Sequence, residues 1–171
     1  MKRTASKQGF AIALLGLAIT AVLSAMNTSA ATNTDTQTSR AYLHSYNLPS
    51  TGVALEGYCP VAYFAVNKPV KGDPAYASDH NGVTYYFVSA DARDMFDADP
   101  EKYIPAYGGW CAFGMAVNDK FPVDPTNFKI VRGQLMLFLK NQNVDALTLW
   151  NQGNEADLLS KAQAHWNKVS R

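Results

Sequence analysis

The chain has 171 residues, 15 Lys+Arg against 14 Asp+Glu, and two cysteines. Three of the basic residues, Lys2, Arg3 and Lys7, lie ahead of the uncharged apolar run Phe10 to Leu23. The fifteen basic residues less these three leave 12 against 14 acidic ones, a net charge of −2. This balance argues against nucleic acid and anionic lipid surfaces as partners, since both need a basic patch.

The N-terminal pattern is a positive start, a short apolar stretch, then small residues around Ala30 and Ala31. It reads as a secretory signal peptide over residues 1–30, and the run is short for a membrane span of about 20 residues. Periplasmic or secreted localisation follows, with no membrane insertion after cleavage. Residues 31–46 open polar and Thr-rich and read as a flexible leader. Residues 47–171 leave ~120 residues, the size of one domain.

Within that domain no internal repeat is evident. Asn81-Gly82, between two β-prone runs, predicts a hairpin with a type I′ turn. Ser89 reads as the N-cap of a helix with Asp91 in its first turn, and Pro100 as the start of another. Gly108-Gly109 breaks that helix ahead of the apolar stretch from Trp110 to Val117. Asp124-Pro125 reads as a turn and Arg132-Gly133 as the centre of a second hairpin. Met136 to Leu139 is apolar on both faces, which suits a central strand. A helix over 144–151 and another capped by Asn154 close the chain. The latter carries an apolar stripe of Leu158, Leu159, Ala162, Trp166 and Val169 that would pack on the sheet. The expected fold class is α+β: a small single domain of short antiparallel hairpins and short helices, with an amphipathic C-terminal helix.

Cys59 and Cys111 carry three alternatives. Export permits a disulfide, which would close a loop of roughly fifty residues and contribute roughly 4 kcal/mol in the chain-entropy account. Cys111 and Met115 lie one helical turn apart and supply thiolate and thioether, a soft pair that suits Cu(I). Cys59 and His80 complete a chemically sensible metal set. Alternatively, the glycines before Cys111 place its thiol at a helix N-terminus, where a nucleophile is activated, although such a nucleophile needs a histidine base. The tyrosines at 58, 63, 85, 86, 103 and 107 read as core rings whose hydroxyls reach the surface.

The runs "EGYCPVAYF", "HNGVTYYFVSADARDMFDADPEKYIPAYGGWCAFGMA" and "DPTNFKIVRGQLMLF" resemble an exported YHS-domain protein, from about Leu55 to the C-terminal tryptophan helix. That resemblance implies a small α+β module and a heavy-metal or copper role, with Cys111 in the Gly-Gly-x-Cys motif as its steadier feature. In the exported branch the position of Cys59 can be aspartate. The expectation is therefore an exported binding protein that holds copper for delivery or buffering rather than turnover. The alternative is a disulfide-stapled interaction module whose partner is a protein.

Overall fold

The computed structural model describes residues 45–170. They form a small α+β domain. A one-turn segment, Ala54–Gly57, leads into α1 (Pro60–Ala65), the hairpin of β1 (Asp73–His80) and β2 (Val83–Phe87), α2 (Ala90–Ala98) and α3 (Pro100–Tyr103). A second one-turn segment, Ala106–Gly109, leads into α4 (Ala112–Ala116), the hairpin of β3 (Asp124–Val131) and β4 (Gln134–Phe138), α5 (Ala146–Gln152) and α6 (Glu155–Val169). Among the described residues no helix is long and apolar enough to cross a membrane.

The two halves of that order are one motif built twice, which corrects the expectation that the chain carries no repeat. Each begins with three consecutive residues at positive φ: Leu55, Glu56 and Gly57, then Tyr107, Gly108 and Gly109. Each left-handed turn is followed by an aromatic residue and a cysteine that caps the next helix: Tyr58-Cys59 for α1, Trp110-Cys111 for α4. Each hairpin opens on Asp-Pro. Asp73 Oδ1 accepts from Ala75 N and Asp124 Oδ1 from Thr126 N, both at 2.8 Å. That local turn bulges both first strands, so the register shifts between Asp73 and Ala77 and again between Asp124 and Phe128. The expected turn at Asp124-Pro125 is thus a bulge inside β3. Both hairpins close on two residues of positive φ, Asn81-Gly82 and Arg132-Gly133, the conformation a type I′ connection requires. A single parallel bridge joins each turn to its own hairpin, Val53 to Thr84 and Pro105 to Leu135. Polar N-caps start the next helices: Ser89 Oγ accepts from Ala92 N, and Asp145 Oδ1 from Leu147 N and Thr148 N.

Two hydrophobic cores result. The first gathers Leu55, Cys59, Tyr63, Val83, Tyr85, Phe87, Phe96 and Tyr103. The second gathers Cys111, Met115, Met136, Phe138, Trp150 and Ala162. Strand β4 serves both. Leu135 and Leu137 enter the first core while Met136 and Phe138 enter the second, as the period-2 alternation of strand side chains dictates. The expectation that this strand is apolar on both faces holds, but it lies in a two-stranded sheet with β3, its other edge carrying the single bridge to Pro105. It is central to the domain, not to a sheet. The repeats also lock through Tyr63, whose hydroxyl donates to Pro125 O at 2.9 Å. Burial pushes that phenol far above its ordinary range, with nearby Tyr58, Cys59, Asp124 and Glu56 adding to the rise.

The C-terminal helix departs from the motif by its length. Asn154 caps it, accepting from Ala156 N and Asp157 N. Its stripe of Leu158, Leu159, Ala162, Trp166 and Val169 joins the second core, and it packs chiefly on α4 rather than on the sheet as expected. Its first turn is pinned by Glu155, which pairs with Lys129 and accepts from Trp150 Nε1 at 3.2 Å. The Lys129 hydrogen bond, then the one from Trp150, holds the Glu155 carboxyl below its ordinary 4.5. A depressed carboxyl stabilises the fold above its unfolded pKa and loses that contribution as pH falls through the folded value. Stability measured by urea unfolding is therefore expected to drop below about pH 4.5 in part through this group. Glu155→Gln should lower the pH 7 midpoint and shrink the difference between pH 7 and pH 3.5; an unchanged difference would remove Glu155 from the acid response.

Candidate functional site

The residues singled out by sequence are distributed as follows. Cys59 is fully buried in the first core, and its backbone N donates to Val70 O at 2.8 Å. Cys111 is fully buried in the second core, and its backbone N donates to Phe121 O at 3.1 Å. Both cysteines are free. The bridge expected between them is not formed. The physical reason is the duplication: each cysteine belongs to the core of its own repeat, so the fold keeps the two sulfurs in separate cores.

Around Cys111 the sulfur has two donors. Gly114 N approaches Sγ at 3.4 Å and Leu139 N at 3.3 Å. The first is a helix N-cap bond made by a thiol in place of the usual hydroxyl. The second ties α4 to the end of the β4 hairpin. Cys59 caps α1 by position but makes no side-chain cap bond. Met115 is fully buried with Cys111 in the second core. His80 lies elsewhere, at the end of β1. Its Nε2 faces Glu101 Oε1 at 3.3 Å and Asn81 Nδ2 at 3.0 Å, and its ring stands edge-on to Phe96 in the first core. The fold therefore brings Cys111 and Met115 together and leaves Cys59 and His80 apart from them. Among the described residues no group of three or more His, Cys, Asp and Glu is gathered to hold a metal ion. No imidazole among the described residues is hydrogen-bonded to either sulfur, the arrangement a cysteine nucleophile uses.

The concave surfaces lie beside the left-handed turns, a location the sequence reading missed. Ser45 and Tyr46, expected at the end of the leader, are buried parts of the fold. Trp110 Nε1 donates to Ser45 O at 2.8 Å, and the Tyr46 and Tyr85 hydroxyls meet at 2.8 Å. Asn47 crosses the second turn, its backbone N donating to Gly108 O at 2.8 Å and its Nδ2 to Gly109 O at 3.1 Å. A cavity of about 360 Å³ opens next to it, walled by Tyr46, Tyr107 and Trp166 and rimmed by Glu101, Gln134 and Gln163. Burial raises the Tyr107 phenol above its ordinary range. Two further grooves of about 240 and 510 Å³ flank the second and first turns. The signals that could have found these surfaces are in the sequence: Gly-aromatic-Cys, Ala-Val-Asn and Asp-Pro follow one another in the same order at Gly57, Ala65 and Asp73 and again at Gly109, Ala116 and Asp124.

Comparison with known proteins brought no match: no family model, no curated protein and no solved structure is similar to the chain at the level searched. The functional reading therefore rests on the geometry and on the sequence motifs.

Proposed function

We propose that this chain is an exported, non-catalytic binding module of YHS type that works through the grooves beside its left-handed turns, with a protein as its partner. Export rests on the N-terminal pattern and the family on the motifs; periplasmic or secreted localisation goes with them. The single observation that supports the reading is that Cys59 and Cys111 occupy the same place in two copies of one motif, each fully buried at the start of a helix. Packing accounts for the Cys59 thiol, and packing with a helix cap for the Cys111 thiol, without a shared metal or a bridge. A free cysteine behaves as a small buried hydrophobe unless its surroundings make it reactive.

A second reading has its own support. Cys111 and Met115 share one core one helical turn apart, and this thiol–thioether pair is a soft donor set for Cu(I). Cu(I) titrated against a competing chelator separates the readings. The parent and Cys111→Ser are expected to hold the ion equally weakly, and the native parent is expected to show two thiols slow to alkylate. Tight binding that is lost in Cys111→Ser and in Met115→Leu, but kept in Cys59→Ser, would replace the first reading with copper carriage at Cys111 and Met115.

A further inference from the structure

The duplication places two like grooves on the domain, each bordered by the chain's own N-terminal segment: Tyr46 to Pro49 line the second, and Pro49, Thr51 and Val53 the first. Gly57, Pro74 and Tyr86 line the groove of the first repeat; Gly109, Pro125 and Leu137 stand at the equivalent positions in the second. In the second, the segment from Tyr46 to Pro49 borders the groove, bent at Tyr46 and held by a tight turn in which Leu48 N donates to Tyr46 O at 3.1 Å. Asn47 bonds two successive carbonyls of the left-handed turn, those of Gly108 and Gly109. Each turn closes one bond of its own, Trp110 N to Tyr107 O and Tyr58 N to Leu55 O, and ends there, so its last two carbonyls need donors from elsewhere.

The first turn presents the same pair, Glu56 O and Gly57 O. Glu56 O takes only the Lys71 amine, at an exposed site and 2.6 Å, and Gly57 O takes Gly72 N at 2.8 Å. A carbonyl oxygen has a second lone pair, and a solvated lysine is easily exchanged for another donor. The groove itself, of about 510 Å³, is walled by Val53, Pro74 and the Tyr86 ring. It is continuous with the seat of the chain's own segment, since Pro49 and Glu56 border both grooves.

We propose that the groove of the first repeat binds a short peptide segment of a partner protein, presenting an aromatic residue followed by a carboxamide, as the chain's own Tyr46-Asn47 does in the second. The carboxamide and the peptide N–H bond the Glu56 and Gly57 carbonyls, displacing Lys71. The neighbouring apolar residue lies against Pro74 and Tyr86. Main-chain bonds to a preformed turn supply the register and the side-chain pockets supply selectivity, as in other peptide recognition. This deepens the reading of the protein as a binding module and rests on it.

The test uses a capped synthetic peptide, Ser-Tyr-Asn-Leu-Pro-Ser, matching residues 45–50, titrated into the isotope-labelled full chain while amide resonances are followed. The expected result is saturable shifts at Gly57, Gly72 and Tyr86, with Gly108 and Gly109 unmoved. The Asn→Ala peptide should bind at least tenfold more weakly, a readout independent of any protein variant. Tyr86→Ala should lose binding with distant resonances unchanged. No saturable shift at millimolar peptide would overturn the proposal. So would shifts confined to Gly108 and Gly109, which would mean exchange with the chain's own segment. Binding that emerges only after residues 1–44 are removed would also overturn it, by showing the leader to be the occupant. A negative peptide titration beside a negative Cu(I) titration removes the groove and leaves the binding-module reading; a thiol-dependent copper site removes that reading whatever the peptide does.

Discussion

Gly72→Ala is expected to cost about 3 kcal/mol of stability, the upper end of what overpacking usually costs. In a domain of this size that corresponds to a fall in melting temperature on the order of 10 °C. The cause is backbone on backbone. A Cβ on Gly72 would stand 2.4 Å from the carbonyl carbon of Tyr86, 2.5 Å from its oxygen and 2.7 Å from Phe87 N. None of these atoms can swing aside as a side-chain tip can, so either β1 moves off β2 or the Gly72 N bond to Gly57 O breaks. The same position in the second repeat is Val123, partly buried and packed against both cores. Val123→Ala should show the opposite physics, a loss on the order of 1 kcal/mol from deleted methyl groups. Thermal and urea unfolding of the two variants decide it; a Gly72→Ala change within 0.5 kcal/mol would mean the close approach does not constrain the fold.

Much of the local structure was legible. Both hairpin turns, the caps at Ser89 and Asn154 and the helix at Pro100 follow from residue types whose backbone preferences are strong and short-ranged, whereas the apolar run after Gly109 allows helix or strand alike. What the sequence reading missed is longer-ranged. Three successive left-handed residues are not announced by Leu55-Glu56, since nonglycine residues seldom adopt that conformation. Gly108 and Gly109 read as helix breakers rather than as part of a recurring turn. Recognising the duplication required aligning Tyr58-Cys59 with Trp110-Cys111 and Asp73-Pro74 with Asp124-Pro125 across repeats whose cores have otherwise diverged, Tyr63 standing where Met115 does.

The candidate site was hardest to read for the same reason. With two cysteines behind an N-terminus that reads as a signal peptide, pairing them is the simplest expectation, and nothing in their spacing says that each is confined to its own core. Duplication alters the inference. Two equivalent positions in a repeated motif share a structural cause, and the distance between them is then set by how the repeats pack. Cys111 has gained two N–H partners that Cys59 lacks. Where the repeats differ in this way, a role beyond packing has room to develop, and that is why Cys111 rather than Cys59 carries the copper alternative.

The two cores are expected to melt together because β4 belongs to both, and the double variant Leu135→Ala/Leu137→Ala tests it with a large effect. Each leucine is essentially fully buried in the first core, and each truncation costs about 2–5 kcal/mol. Together they remove about 4–10 kcal/mol from a domain whose whole stability is on the order of 5–15. The three tryptophans, Trp110, Trp150 and Trp166, all pack in or against the second core, while the first is built around tyrosine and phenylalanine. Tryptophan fluorescence therefore reports a core the substitutions do not directly touch. If the repeats act as one cooperative unit, the tryptophan transition shifts to lower denaturant in step with the near-ultraviolet tyrosine signal and by the same free energy. A tryptophan midpoint left at the parent value, with only the tyrosine signal lost, would mean that each repeat is its own folding unit and that β4, despite facing both ways, does not couple them.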